Sequence, residues 1–152
     1  MNRRRLRDTR LNPAAERRAR ELLRESAGEE VHAMYDELGF IAVEGEGDAG
    51  YGYLLYAHRP IVAFDAVARE PLSEYCVRFP DGSEEPGRWL PDADDLLAKW
   101  MALRGDERGL ISTANLHPLG RQLDPAMVRR DLKVLERWQR ARERSKQVGV
   151  AE

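Results

Sequence analysis

A chain of 152 residues with 42% hydrophobic and 34% charged side chains suits one globular domain with its own core and a highly charged surface. Its formal charge of −2 hides a segregation: residues 1–27 carry nine Arg against four acids, residues 28–127 eight bases against nineteen acids, and residues 128–152 eight bases against four acids. No apolar run nears the roughly 18 residues that span a bilayer, and the single cysteine, Cys76, excludes an internal disulfide framework, so a cytoplasmic protein with no membrane partner is expected.

Residues 1–11 are polar, Arg-rich and aperiodic, and read as a flexible basic arm. A single domain is expected over 12–141, followed by a polar tail over 142–152 that frays into solvent. Asn12-Pro13 is a helix start, an N-cap side chain followed by proline at the first helical position. Ala19, Leu22, Leu23, Ala27, Val31, Met34, Tyr35 and Leu38 then hold one helical phase up to a stop at Gly39. Because the stripe keeps its phase across Gly28, one kinked helix is expected rather than two.

Residues 40–44, 51–57, 61–64 and 73–79 are short segments rich in aromatic and β-branched side chains, separated by turn formers. Such close spacing leaves room for hairpins only, so a small antiparallel sheet of about four strands is expected. In the last segment Tyr75, Val77 and Phe79 alternate with Glu74, Cys76 and Arg78, the period of a strand with one wet face. Asp92 reads as the cap of a helix carrying Ala93, Leu96, Leu97, Trp100 and Leu103 on one face and ending at Gly105. A short helix over 107–116, stopped by Pro118, is expected next. Asp124-Pro125 opens a long helix whose apolar stripe is Val128, Leu132, Leu135 and Trp138. N-terminal helix, antiparallel sheet and C-terminal helices together make an α+β domain.

Behind the Asp124-Pro125 cap stands Val128-Arg129-Arg130-Asp131-Leu132. Over residues 124–136 the chain resembles the recognition helix of helix-turn-helix repressors of the DeoR and Rex type. The resemblance implies that Arg129, Arg130 and Lys133 face DNA while Val128 and Leu132 anchor the opposite side, and Arg137 extends the same basic helix. The remainder of the chain departs from those families: the turn over 120–124 is longer, and no wing hairpin follows Glu136. In the N-terminal arm, Arg3, Arg4, Arg5 and Arg7, with Arg10, are placed to lie along a phosphate backbone, giving salt-dependent affinity without choice of sequence.

Other groupings carry less chemistry. Glu29, His32 and Asp36 share a helix face, but di-iron bundles of that pattern need a second copy, which the chain lacks, so no metal or other cofactor is expected. The loop over 45–50 precedes a strand and carries acids where a phosphate would sit, which argues against a nucleotide cradle. Tyr51 and Tyr53 share a strand face and would form either core or a stacking platform.

Three readings follow. The leading one is a small non-enzymatic nucleic-acid-binding accessory protein with basic ends, whose acidic middle engages a protein partner or a second copy. An assembly module without nucleic acid would instead expose an apolar patch around Trp89 or Trp138. An enzyme would gather His58, Asp65, Glu74 and Cys76 in one pocket.

Overall fold

The computed structural model describes residues 13–44, 50–77 and 90–150, so the expected basic arm, Asn12, Phe79 and Trp89 lie outside the described residues. The chain forms α1 (Pro13–Ala27), α2 (Glu29–Leu38), β1 (Ile41–Glu44), β2 (Tyr51–Leu55), β3 (Ile61–Asp65), β4 (Glu70–Cys76), α3 (Asp92–Thr113), β5 (Asn115–Pro118) and α4 (Pro125–Val150). It is an α+β domain, with five strands where about four were expected.

The first helical stretch is two helices rather than one kinked one. Gly28 adopts φ 100° and ψ 170°, a conformation that side chains other than glycine's essentially forbid. Its N–H closes α1 on the Arg24 carbonyl at 2.9 Å, and its own carbonyl opens α2 by accepting the His32 N–H at 3.1 Å. Hydrophobic phase survives the break because both helices bury one face, Ala19 and Leu23 in α1 and Met34 and Tyr35 in α2. Gly39 ends α2 at φ 82°, donating its N–H to the Tyr35 carbonyl at 2.8 Å, as a left-handed cap requires.

The five strands run as an antiparallel meander in the order β1-β2-β3-β4-β5. Register places Ala42, Leu54, Val62, Glu74 and His117 on one face, and Ile41, Leu55, Ile61, Tyr75 and Leu116 on the other. The alternation in β4 is therefore inverted, for the polar set supplies the fully buried residue, Glu74, while Tyr75 is only half-buried. α3 covers the face that carries Tyr53, whose hydroxyl donates to Glu107 at 2.7 Å. α4 covers the opposite face, where the Tyr56 hydroxyl donates to Asp131 at 2.7 Å. Phe40, Ile41, Leu54, Leu55, Ile61, Val62, Phe64, Leu96, Leu132 and Leu135 fill the layers between.

The C-terminal third differs from expectation at three points. Asp92 is the first residue of α3, not its cap: Pro91 holds that position and its carbonyl accepts the Asp94 and Asp95 N–H groups. The break expected at Gly105 is present, for α3 kinks at Asp106 (φ −155°, ψ 76°), whose carboxylate accepts the Gly109 N–H at 3.0 Å and so restarts the helix, which runs to Thr113. After Thr113 the chain is extended, and residues 115–118 pair with β4 as an edge strand, where Pro118 needs no N–H partner. The expected frayed tail is helical as well, since α4 continues to Val150. Arg142 holds it there, stacking 4.7 Å from the Trp138 ring centroid and lying 3.2 Å from Glu30 of α2, which Lys146 approaches at 3.8 Å. No described helix is long and apolar enough to cross a membrane.

Candidate nucleic-acid interface

The long helix α4 is fixed at its start by chemistry that begins in β4. Asp124 accepts the Ala126 N–H at 3.0 Å, the N-cap bond that the Asp124-Pro125 pair predicts. Just ahead of it, the Glu74 carboxylate accepts backbone N–H groups from Gly120 at 2.8 Å, Gln122 at 3.1 Å and Leu123 at 3.2 Å. A buried carboxylate is tolerated only when donors surround it, and here one loop supplies them all. Val128, Leu132 and Leu135 are then buried in the core, so the helix cannot rotate without exposing them. Along its length Gln139 accepts from Arg69 at 2.8 Å, and the Trp138 indole donates to Glu37 at 2.6 Å.

That anchoring decides what the other side of the helix presents. Arg129, Arg130, Lys133 and Arg137 are exposed, Arg129 on the flank and the other three opposite the buried stripe, and Arg140 and Arg144 are exposed with them. At 100° per residue, Arg130, Lys133, Arg137, Arg140 and Arg144 fall within an arc of about 80° and a length of about 21 Å. Their spacing, three then four residues in turn, keeps every one on the same side. Arg140 lies 2.8 Å from Glu136, and Arg129 lies 3.6 Å from Glu70, both exposed pairs. Arg130, Lys133, Arg137 and Arg144 form no ion pair with any described residue. The opposite fate befalls Arg142 and Lys146, which are turned toward Glu30 on α2.

Sequence reasoning missed Arg140 and Arg144. Their signal was the continuation of the three-four spacing beyond Arg137, through Arg140 and on to Arg144 in the stretch after Ala141 that was read as frayed because it is polar on all sides. The element ahead of α4 is strand β5 and a turn, so α4 meets its surroundings as a single long helix rather than as the second member of a helix pair. Arg3, Arg4, Arg5 and Arg7 lie outside the described residues.

The residues of the enzyme reading are each engaged in contacts of the fold. Asp65 caps the turn after β3, accepting the Val67 and Ala68 N–H groups at 2.9 Å each. Glu74 is committed to the loop over 120–123, and the Cys76 sulfur accepts from Gln122 at 3.3 Å. His58 sits instead with the first turns of α3. Its backbone, left-handed at φ 57°, donates N–H to Asp95 at 2.8 Å. Its Nε2 lies 2.8 Å from the Leu90 carbonyl and 3.3 Å from Asp92 Oδ1, a buried oxygen without a hydrogen-bond partner. Burial disfavours the imidazolium, yet the close carboxylates of Asp92 and Asp95 outweigh it and hold the His58 pKa above its ordinary value.

Beside it lies Lys99, which no sequence pattern singled out. Its buried ammonium donates to Asp95 at 2.6 Å and to the carbonyls of Tyr56 and Arg59 at 2.9 Å each. All three of its N–H groups are used, so it clamps the β2–β3 turn onto α3 and carries no free nucleophile, although burial lowers its pKa against the pull of Asp95.

The remaining candidates are structural too. Glu29 and Asp36 are turned to Arg24 and Arg20, at 3.8 and 3.3 Å, and no group of three or more possible metal ligands occurs among the described residues. Trp138 is half-buried under Arg142 rather than the centre of an exposed apolar patch. Of the two tyrosines that share a strand face, Tyr53 is buried with its hydroxyl bonded to Glu107 and is core, whereas Tyr51 is 47% exposed.

Comparison with protein-family models, with curated proteins and with solved structures gives no match for this chain.

Proposed function

We propose that this protein is a non-enzymatic nucleic-acid-binding accessory module whose contact surface is the basic face of α4. One observation carries the reading. Arg130, Lys133, Arg137 and Arg144 stand exposed in a single row on a helix whose rotation is fixed by a buried stripe, and no described carboxylate neutralises them. Single bases that pair with no described residue, such as Arg17, Arg18 and Arg108, occur elsewhere, while Arg20 reaches Glu16 and Asp36 and Arg142 reaches Glu30 and Glu37; what sets α4 apart is that its unpaired bases stand in one row. A row of unpaired cations in a net-negative protein concentrates positive potential where a polyanion can exploit it. Phosphates are the fitting counter-charge, because long Arg and Lys side chains in a row reach successive phosphates without needing a shaped pocket.

Fluorescence anisotropy of a labelled nucleic acid at low salt tests the reading. Arg130→Gln/Lys133→Gln/Arg137→Gln should lose at least tenfold in affinity. A variant of equal charge change elsewhere, Arg17→Gln/Arg18→Gln/Arg108→Gln, should bind within about threefold of the parent, as surface changes outside the contact do. Equal loss in both variants, or none in either, would overturn the assignment to α4.

A further inference from the structure

We infer that the basic face of α4 takes double-stranded nucleic acid by its phosphate backbone, without choice of base sequence, and is not a single-strand site. The inference rests on the nucleic-acid reading above and narrows it to one class of ligand.

Proteins that hold single strands combine a basic track with aromatic side chains on which bases stack, and stacking supplies much of the affinity. Along α4 no such side chain is available. Counting around the helix at 100° per residue, the arc that holds the five bases also holds Ala126 and Val148, and no aromatic residue. Trp138 lies on the flank turned toward α2, its indole bonded to Glu37 and its ring under Arg142. Tyr35, Tyr53 and Tyr56 are buried, with their hydroxyls given to Glu16, Glu107 and Asp131. On the sheet, the usual stacking platform in small α+β single-strand binders, Tyr51 is 47% exposed, but it shares the Tyr53 face, which is opposite the one against α4, so it does not lie beside the basic row.

What remains is a straight, rigid row of cations about 21 Å long. A duplex suits such a row better than a single strand does. It presents one charge per ~1.7 Å of its axis and holds its phosphates in fixed positions, so a preformed row meets a preformed one. The row spans roughly six-tenths of a duplex turn of about 34 Å, short enough for a straight helix to follow the backbone before it curves away. Each neutralised phosphate also releases more counterion from a duplex than from a single strand, about 0.9 against 0.7.

Sequence reading needs something the row does not offer. Base edges are read by forked or paired polar groups held in place, such as Arg on guanine or Asn and Gln on adenine. Gln139 is committed to Arg69, and Arg129 is turned to Glu70. The exposed bases have no neighbouring side chain among the described residues that would fix them for base recognition, except Glu136 beside Arg140.

The test is direct titration of the full chain against four probes at one salt concentration: two DNA duplexes of unrelated sequence, an RNA duplex, and a single DNA strand of equal length. Affinities for the two DNA duplexes should agree within about threefold, and the single strand should bind at least fivefold more weakly. The RNA arm decides which duplex geometry the row fits better, and tight binding to either duplex form supports the inference. Single-strand binding equal to or tighter than both duplex forms would overturn it while leaving the nucleic-acid reading intact. A difference of tenfold or more between the two DNA sequences would overturn the claim of sequence indifference. Absence of binding to all four probes would overturn the underlying reading as well.

Discussion

Replacing Glu74 by glutamine removes one charge from the interior and changes nothing else in size. In the parent, Oε2 accepts from Gly120 and Leu123, the Gln122 N–H is shared between Oε1 at 3.1 Å and Oε2 at 3.3 Å, and the side chain is wholly buried. With the amide oxygen placed on the Gly120 and Leu123 side, the new NH2 group faces the Gln122 N–H, donor against donor. Bonds to an ionised acceptor contribute about 1 kcal/mol more than bonds to a neutral one, so three of them weaken together. The Gln122 N–H keeps only its longer bond, to the retained oxygen at 3.3 Å, and meets a new donor, at a further cost of about 1 kcal/mol. Burying a neutral group instead of a charge offsets part of this, leaving a net loss of about 2–4 kcal/mol. For a domain of this size that corresponds to a Tm lower by about 5–15 °C. Urea denaturation followed by circular dichroism measures the first figure, and a thermal scan the second. Amide exchange at Gly120, Gln122 and Leu123 should quicken before that of the β2–β3 core. A Glu74→Gln protein within about 0.5 kcal/mol of the parent would refute the idea that this carboxylate organises the entry to α4.

Two further substitutions probe the packing around that helix and the clamp below it. Gly52 lies opposite Phe64 in the sheet, and a Cβ there would overlap the buried Phe64 ring, so Gly52→Ala should cost about 1–3 kcal/mol by urea titration through overpacking. An unchanged midpoint would show that Phe64 can move aside. His58 offers a pH test, because its folded-state pKa is held above the unfolded value of 6.5 by Asp92 and Asp95 against the cost of burial. Protonated His58 therefore adds stability below about pH 6.5, and that contribution is lost as pH rises through the folded value. The stability difference between the parent and His58→Asn, which tolerates the left-handed backbone, should shrink between acid and mildly alkaline pH. A difference that does not vary with pH would contradict the pairing with Asp92 and Asp95.

Much of the fold was legible because local signals and tertiary structure agree. Gly39 stops α2 as its flexibility suggests, Asp124-Pro125 caps α4, and Val128, Leu132 and Leu135 form the buried stripe that periodicity indicates. What was not legible depends on partners distant in sequence. The phase of β4 could not be read because Glu74 finds its donors 46 to 49 residues later, in backbone amides that carry no side-chain signature. β5 escaped notice because Asn115, Leu116, His117 and Pro118 have neither β-branching nor alternation, and only the free edge of β4 makes them a strand. The Lys99 clamp had no signature in the sequence, because two of its three acceptors are backbone carbonyls of Tyr56 and Arg59. For the site, the residue types were visible but their common orientation was not. Arg140 and Arg144 became part of the row only once Arg142 was seen to turn the other way, onto Trp138 and Glu30.

The dependence of duplex affinity on salt tests the central claim most directly. Five phosphates met by Arg130, Lys133, Arg137, Arg140 and Arg144 give a log–log slope of about −4.5, or a loss of roughly 500-fold between 50 and 200 mM salt. Removing three of those charges in Arg130→Gln/Lys133→Gln/Arg137→Gln should flatten the slope to about −2. A parent slope near zero, or an identical slope in the variant, would contradict a phosphate contact on α4.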